Sequence, residues 1–281
     1  MFTSTEQIEL QAQSLALTWK AHFAGVDANL RFERVEEARF LQLSDDVWLV
    51  GIVDAEGDDW FGEWKTSNPR AAKTWKREWA MSVQALTYGL LTGGKKRFLV
   101  RKVFKSAQPT CDHEWFQFGE GELEMWRDQV LMMAGEINEY KKRTYFGHYG
   151  ANGGPWPLNL EHGCFAYGPN YACPFWAEGC SKLDFKSLPK EATPAGDNYL
   201  AWGEFQGENL QKWIKLREAY PNALLLSASR IKDWQRCRES YRRKHVEGIV
   251  MPPSEAMLIG SRFHSLIAEH YRSMTKENVN G

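Results

Sequence analysis

The chain has no long hydrophobic run: nothing in it approaches the ~20 apolar residues that a membrane-spanning helix needs. Its first residues, Met-Phe-Thr-Ser-Thr-Glu-Gln, lack the basic start and apolar centre of a secretion signal. A cytoplasmic protein with no membrane partner is the expectation. Neither sign of charge is in surplus, since 35 Lys and Arg against 36 Asp and Glu leave a formal net charge of −1. Any surface for a polyanion must therefore be local. Cysteine is sparse, with five in 281 residues, and in a reducing compartment these are not a disulfide framework. Three of them, Cys164, Cys173 and Cys180, are nevertheless neighbours in sequence, which favours a metal or cluster site. Internal repeats are lacking as well.

Tryptophan is plentiful, at thirteen residues. Large aromatics usually mean core, though some can stack on bases. With 43% hydrophobic and 25% charged residues, the composition is that of a globular chain, long enough for one large domain or two small ones.

Periodicity predicts a helix over 4–24, on which Ile8, Leu15, Trp19 and Phe23 recur at helical spacing. A strand is expected over 31–43, a long helix over 71–91 ended by Gly93-Gly94, strands over 97–105 and 115–118, and a helix over 122–140. From 145 to 200 Gly, Pro and aromatics replace any regular period. That is too long for a structureless loop in a compact domain, so the clustered cysteines should hold it. Helices resume over 208–219 and from Ser227 or Ser229, a plausible N-cap, to about 245. The last helix starts at Pro252-Pro253-Ser254-Glu255 and carries Met257, Phe263, Leu266, Ile267 and Tyr271 on one side. Three regions are expected: a core over 1–145, an irregular cysteine-containing lobe over 146–200, and a helical segment over 201–281 that packs on the core.

The chemistry concentrates in one short stretch. Val47 to Val53 is almost wholly apolar, and Asp54 closes the run. Glu56-Gly-Asp-Asp59 is turn chemistry, and Trp60-Phe-Gly-Glu63-Trp-Lys65 follows as a second strand. Glu63 and Lys65 leave the same face of that strand, because successive side chains alternate. The hairpin thus gathers two carboxylates and an ammonium. Two carboxylates can hold Mg²⁺ or Mn²⁺ with positions left open for a substrate phosphate, and a lysine beside them can orient water or steady phosphate charge. In an isolated hairpin the same three residues are ordinarily solvated polar ends. Glu36 can approach from the preceding strand, although a solvated strand carboxylate is its plainer meaning. Gln84 and Tyr88 share one face of the next helix.

Together these residues resemble the PD-(D/E)XK nuclease superfamily, and within it the RecB and Cas4 branch. That branch carries Gly-x-x-Asp, Glu-x-Lys and Gln-x-x-x-Tyr in order, here Gly51 to Asp54, Glu63-Trp64-Lys65 and Gln84 to Tyr88. The branch often holds a [4Fe–4S] cluster on four cysteines, three of them after the core. Cys164, Cys173 and Cys180 look like those three, at wider spacing than in Cas4. The family's opening segment, Ser-x-Ser…Cys followed by Gly-x-x-x-His, is matched by Ser227-Ala-Ser229…Cys237 and Gly260-Ser-Arg-Phe-His264, but at the C-terminal end. Circular permutation within one domain, an unfinished second copy, and exchange with a neighbouring chain each account for that order; permutation is favoured.

The resemblance implies an α/β fold with a restriction-endonuclease-like mixed β-sheet core flanked by helices, and a helical or irregular cysteine-bound lobe. It implies a divalent-metal-dependent DNA nuclease of exonuclease type in recombination or repair, with DNA as partner alongside a second copy or a recombination or replication protein. Its size and composition suit a phage or bacterial protein. Asp54 and Glu63 would ligate Mg²⁺ or Mn²⁺, with the Trp64 carbonyl and His264 as further ligands. Lys65 would position or activate the attacking water, and Gln84 and Tyr88 would steady Lys65 or a phosphate. Cys237 would be the fourth cluster ligand. Zinc is the alternative to iron–sulfur, since thiolates suit both. Cys111 reads as structural, and His148 and His162 are substitute ligands. Lys73, Lys76, Arg77, Arg230, Arg236 and Arg242 are candidate phosphate contacts, although a charge run usually means a solvated face. The rival function is a non-catalytic nucleic-acid-binding protein that retained fold and cluster. A carboxylate-pair glycosidase ranks far lower, having no use for Lys65 or the cysteines.

Overall fold

The computed structural model describes residues 4–80, 82–145, 173, 175, 180, 193–194 and 207–279. The architecture is mixed α/β, with a six-stranded mixed sheet and flanking helices. The chain divides into two compact units, one of Met1–Phe40, Gly51–Met125 and Pro253–Gly281, the other of Leu41–Val50 and Trp126–Pro252.

Strands β1 (Arg34–Ser44), β2 (Val47–Glu56), β3 (Trp60–Ser67), β4 (Arg97–Phe104) and β5 (Thr110–Gln117) are adjacent in that order, and all but residues 41–50 of β1 and β2 belong to the first unit. The expected hairpin is there: β2 and β3 run antiparallel, with Ala55 opposite Gly62 and Glu56 opposite Phe61. β3 and β4 are parallel, so the chain must cross over between them, and it does so through helices. β5 returns antiparallel to β4.

One sheet face is covered by α1 (Ser4–Asp27) and the C-terminal helix, named α8 below (Glu255–Val279). Both are amphipathic at helical spacing. Leu15, Ala16, Trp19 and Phe23 of α1 join Phe263, Ile267 and Tyr271 of α8, and Trp64, Leu99 and Val103 of the strands, in one apolar cluster. Within it Trp19 Nε1 donates to the Tyr271 hydroxyl over 2.9 Å. Asp27 and Arg101 form an ion pair among these side chains, both in contact with that hydroxyl. The C-terminal segment therefore completes a unit that begins at its own N-terminus.

The single helix expected over 71–91 is instead a 3-10 turn (Pro69–Lys73), a short α2 (Trp75–Trp79) and α3 (Val83–Leu91). The break lies at Ser82, whose backbone is extended (φ −73°, ψ 127°) at the N-cap of α3. The Ser82 side chain makes no capping hydrogen bond among the described residues, so what bears on the break is serine's low preference for a helix interior. One apolar stripe in the sequence thus belongs to two helices.

Helix α4 (Glu122–Tyr145), in the second unit from Trp126 on, extends past its expected end at residue 140. The short strands β6 (Thr193–Pro194) and β8 (Ile249–Val250) pair with each other. Helix α5 spans Gly207–Ala219, and β7 (Leu224–Leu226) runs parallel to the start of β2, with Val47 opposite Leu224. The helix expected from Ser227 to about 245 is broken. Ser227 caps α6 (Ala228–Arg236), Cys237 is extended (φ −163°, ψ 116°), and α7 (Arg238–Tyr241) runs into a π-helical turn over Arg242–Val246.

Candidate metal centre

The hairpin strands stop pairing just beyond Ala55 and Gly62, and Asp54 sits where they separate. Its Oδ2 accepts the Trp64 backbone N–H over 2.6 Å, doing with a side chain what a ladder carbonyl would otherwise do. The Trp64 indole turns to the opposite face, against Trp19 and Tyr271. Alternation along β3 therefore leaves Glu63 and Lys65 together on the α3 side.

Helix α3 approaches closely because residue 51 is glycine. A Cβ there would lie 3.0 Å from Leu91 Cδ1 and 3.2 Å from Tyr88 Cε1. From α3, Gln84 Nε2 donates to Glu63 Oε1 over 2.8 Å and to the Tyr88 hydroxyl over 3.2 Å. Lys65 forms an ion pair with the same Glu63 oxygen. The other oxygen, Oε2, is buried and has no hydrogen-bond partner among the described residues.

Helix α8 supplies His264, one turn after Gly260, whose missing Cβ would stand 3.3 Å from Thr66 Oγ1 of β3. His264 Nδ1 lies 3.5 Å from Glu36 Oε1 and 3.8 Å from Asp54 Oδ1. Glu36, Asp54 and His264 each offer one ligand atom within 4.8 Å of the others, and they form the one such group of His, Cys, Asp or Glu among the described residues. Glu36 reaches it from a left-handed backbone (φ 52°) inside β1. That conformation costs a non-glycine residue roughly 1–3 kcal/mol and persists where surroundings impose it, often at functional sites.

The electrostatics fit a cation. Burial pushes the Asp54 carboxyl well above its usual range, and the nearby Glu63 and Glu36 charges add to this against His264 and Lys65. Burial alone would lower Lys65, but Glu63 and Asp54 outweigh it and its ammonium is raised. His264 is likewise raised: burial opposes its charge, while Asp54 and Glu36 favour it. Ionised Asp54 is thus costly here, and three carboxylates, Glu36, Asp54 and Glu63, stand near the two cations Lys65 and His264. Two carboxylates and an imidazole, with the orphaned Oε2 of Glu63 as a further oxygen, are a hard-cation donor set.

The other candidates lie elsewhere. Lys73 and Arg77 are exposed near α2, and Lys76 pairs with Glu114 over 2.9 Å. In the second unit Arg242 is buried and bonded to Glu239, with a further contact to Glu247. Arg230 donates to the Leu225 carbonyl over 2.9 Å, and Arg236 is half-buried. Cys180 and Cys237 are buried. Burial raises the Cys173 thiol, Cys237 lies near enough to add to that, and Lys244 and Arg236 pull it down. Cys111 belongs to the first unit, packed against its apolar cluster. Cys164, His148 and His162 lie outside the described residues.

Lys102 belongs to none of the sequence motifs. It stands beside Lys65 in the β3–β4 register, and its signal was faint: a charged pair, Arg101-Lys102, inside an otherwise apolar strand. Comparison of the chain with protein-family models, curated proteins and solved structures finds no match.

Proposed function

We propose that the protein is a divalent-metal-dependent deoxyribonuclease of the PD-(D/E)XK superfamily, similar to the RecB and Cas4 branch and circularly permuted. The observation that carries this reading is the approach of His264, from the far end of the chain, to Glu36 and Asp54, beside the contacts of Glu63 with Lys65 and Gln84. The closure of α8 onto α1 favours permutation over an unfinished second copy.

Asp54, Glu36 and His264 hold the cation, with Glu63 Oε2 and the Trp64 carbonyl as further donors. Bound there, Mg²⁺ or Mn²⁺ supplies Lewis acidity toward a phosphoryl oxygen and acidity to coordinated water. Lys65, an ammonium kept charged by Glu63 and Asp54, orients the attacking water and steadies charge building on the phosphoryl oxygens. Gln84 fixes Glu63 and so fixes Lys65. The Asp54–Trp64 bond sets the separation of the two strands.

Linear, end-labelled DNA incubated with Mg²⁺ or Mn²⁺ tests this. Wild type should degrade it, chelation should stop it, and Lys65→Ala should be slower by at least ~100-fold. Equal degradation by both proteins would remove Lys65 from catalysis, and binding without cleavage would favour the non-catalytic reading.

We further propose that Cys164, Cys173, Cys180 and Cys237 hold a [4Fe–4S] cluster. Support comes from Cys237 standing near enough to Cys173 to act on its charge; burial raises that thiol, so bound iron would be what holds it as a thiolate. Anaerobically purified protein should be brown and contain iron; colourless protein with stoichiometric zinc would contradict it.

A further inference from the structure

Lys102 is a buried cation that the chemistry above leaves unused. It is 5% exposed, on the strand next to Lys65 and directly opposite it in register. Its Nζ lies 5.1 Å from the Trp75 ring centroid and 6.0 Å from that of Trp79, both on α2. Among the described residues no carboxylate forms an ion pair with it.

The nearby carboxylates Asp112 and Glu78 have other partners. Asp112, its cross-strand neighbour on β5, accepts the Trp75 indole N–H over 3.1 Å and lies 3.5 Å from Lys76. Glu78 acts on Lys102 from a distance, and its Oε1 takes the Thr74 hydroxyl at 2.8 Å. Burial pulls the Lys102 ammonium below the ordinary lysine range, with Lys65 adding to the effect and Glu78 opposing it. Burying an ammonium without an anion is expensive, and methionine would fill the same slot without that cost. Two indole faces stabilise a cation while leaving it unneutralised. Such a charge, on the same sheet face as Lys65, is suited to an anion arriving from outside.

We propose that Lys102 is a substrate-binding residue whose ammonium receives a non-bridging oxygen of the DNA backbone phosphate next to the one being cleaved. The inference rests on the nuclease reading and deepens it. Lys65 is tied to Glu63 and serves the reacting phosphate. Lys102 stands one strand further from Asp54, about 4.8 Å across the sheet, and serves its neighbour. A phosphate contact of this kind gives affinity without sequence preference.

Binding of a fluorescent oligonucleotide in Ca²⁺, followed by anisotropy across a salt series, tests it apart from turnover. Lys102→Met should weaken binding about tenfold and reduce the salt slope by about one, while melting no lower than wild type. Lys102→Arg should keep most of the affinity. On DNA with a neutral methylphosphonate at the linkage beside the cleaved one, wild type should fall to the level of Lys102→Met, and Lys102→Met should lose nothing more. If Lys102→Met binds as wild type does while Lys65→Ala still abolishes cleavage, the nuclease reading stands and the Lys102 assignment falls. An affinity loss that only follows a lowered melting temperature makes Lys102 structural and also overturns it. Wild type that neither binds nor cuts DNA would end both readings.

Discussion

Asp54→Asn should bind Mn²⁺ at least ~100-fold more weakly than wild type and lose cleavage by a similar factor or more, while the apoprotein melts no lower. Asparagine keeps an acceptor for the Trp64 N–H, so the bond that separates the hairpin strands survives. What disappears is the charge on the oxygen facing His264 Nδ1. That charge is costly without a cation, because burial, Glu63 and Glu36 all oppose it. Wild type should therefore gain thermal stability on adding Mn²⁺, as any ligand of the folded state provides, and Asp54→Asn should gain much less. Isothermal titration and a melting series with and without metal check both. An Asp54→Asn protein with wild-type Mn²⁺ affinity would place the cation elsewhere.

Asp27→Leu should destabilise the protein by about 3–5 kcal/mol, because it leaves Arg101 as an uncompensated buried charge. Arg101 is fully buried, its guanidinium lies 4.4 Å from the Phe23 ring and 5.0 Å from the Trp64 ring, and Asp27 is the carboxylate it pairs with. Its Nε and Nη2 have no hydrogen-bond partner among the described residues, so the pair is incompletely satisfied even in the native state. Replacing both members, as Asp27→Leu with Arg101→Met, should recover most of the loss, since apolar substitution of a buried pair is often neutral. Urea unfolding of the two single variants and the double variant completes the cycle. A single-variant cost below ~1 kcal/mol would mean that water reaches this pair. The network bears on the site through Tyr271, which takes part in it and lies two turns beyond His264 on α8.

The hairpin and the spacing of Glu63 and Lys65 were legible because a period of two and turn residues specify them locally. Gln84 and Tyr88 were legible for the same reason on a helix. The break before α3 was not: Trp75, Trp79 and the α3 residues share one apolar period, and among the described residues it is the extended backbone at Ser82 that interrupts it. Cys237 was read as helical, whereas its extended conformation divides two helices. Glu36 is visible as a strand carboxylate, but a left-handed residue within a strand leaves no mark in composition, and its approach to His264 follows from that backbone. The same is true of the Arg101 and Lys102 environments. Strand β4 reads as an apolar central strand with two stray charges, and what those charges meet comes from α1, α2 and α8, all distant in sequence.

The most direct measurement of the central claim is the anomalous difference map from crystals soaked in Mn²⁺. The expected result is a peak within bonding distance of Asp54 and His264, with Glu36 or Glu63 completing the protein ligands, and its loss in Asp54→Asn. Manganese found only away from these residues, or no peak in crystals of an enzyme active with Mn²⁺, would contradict the assignment of these side chains as the metal centre.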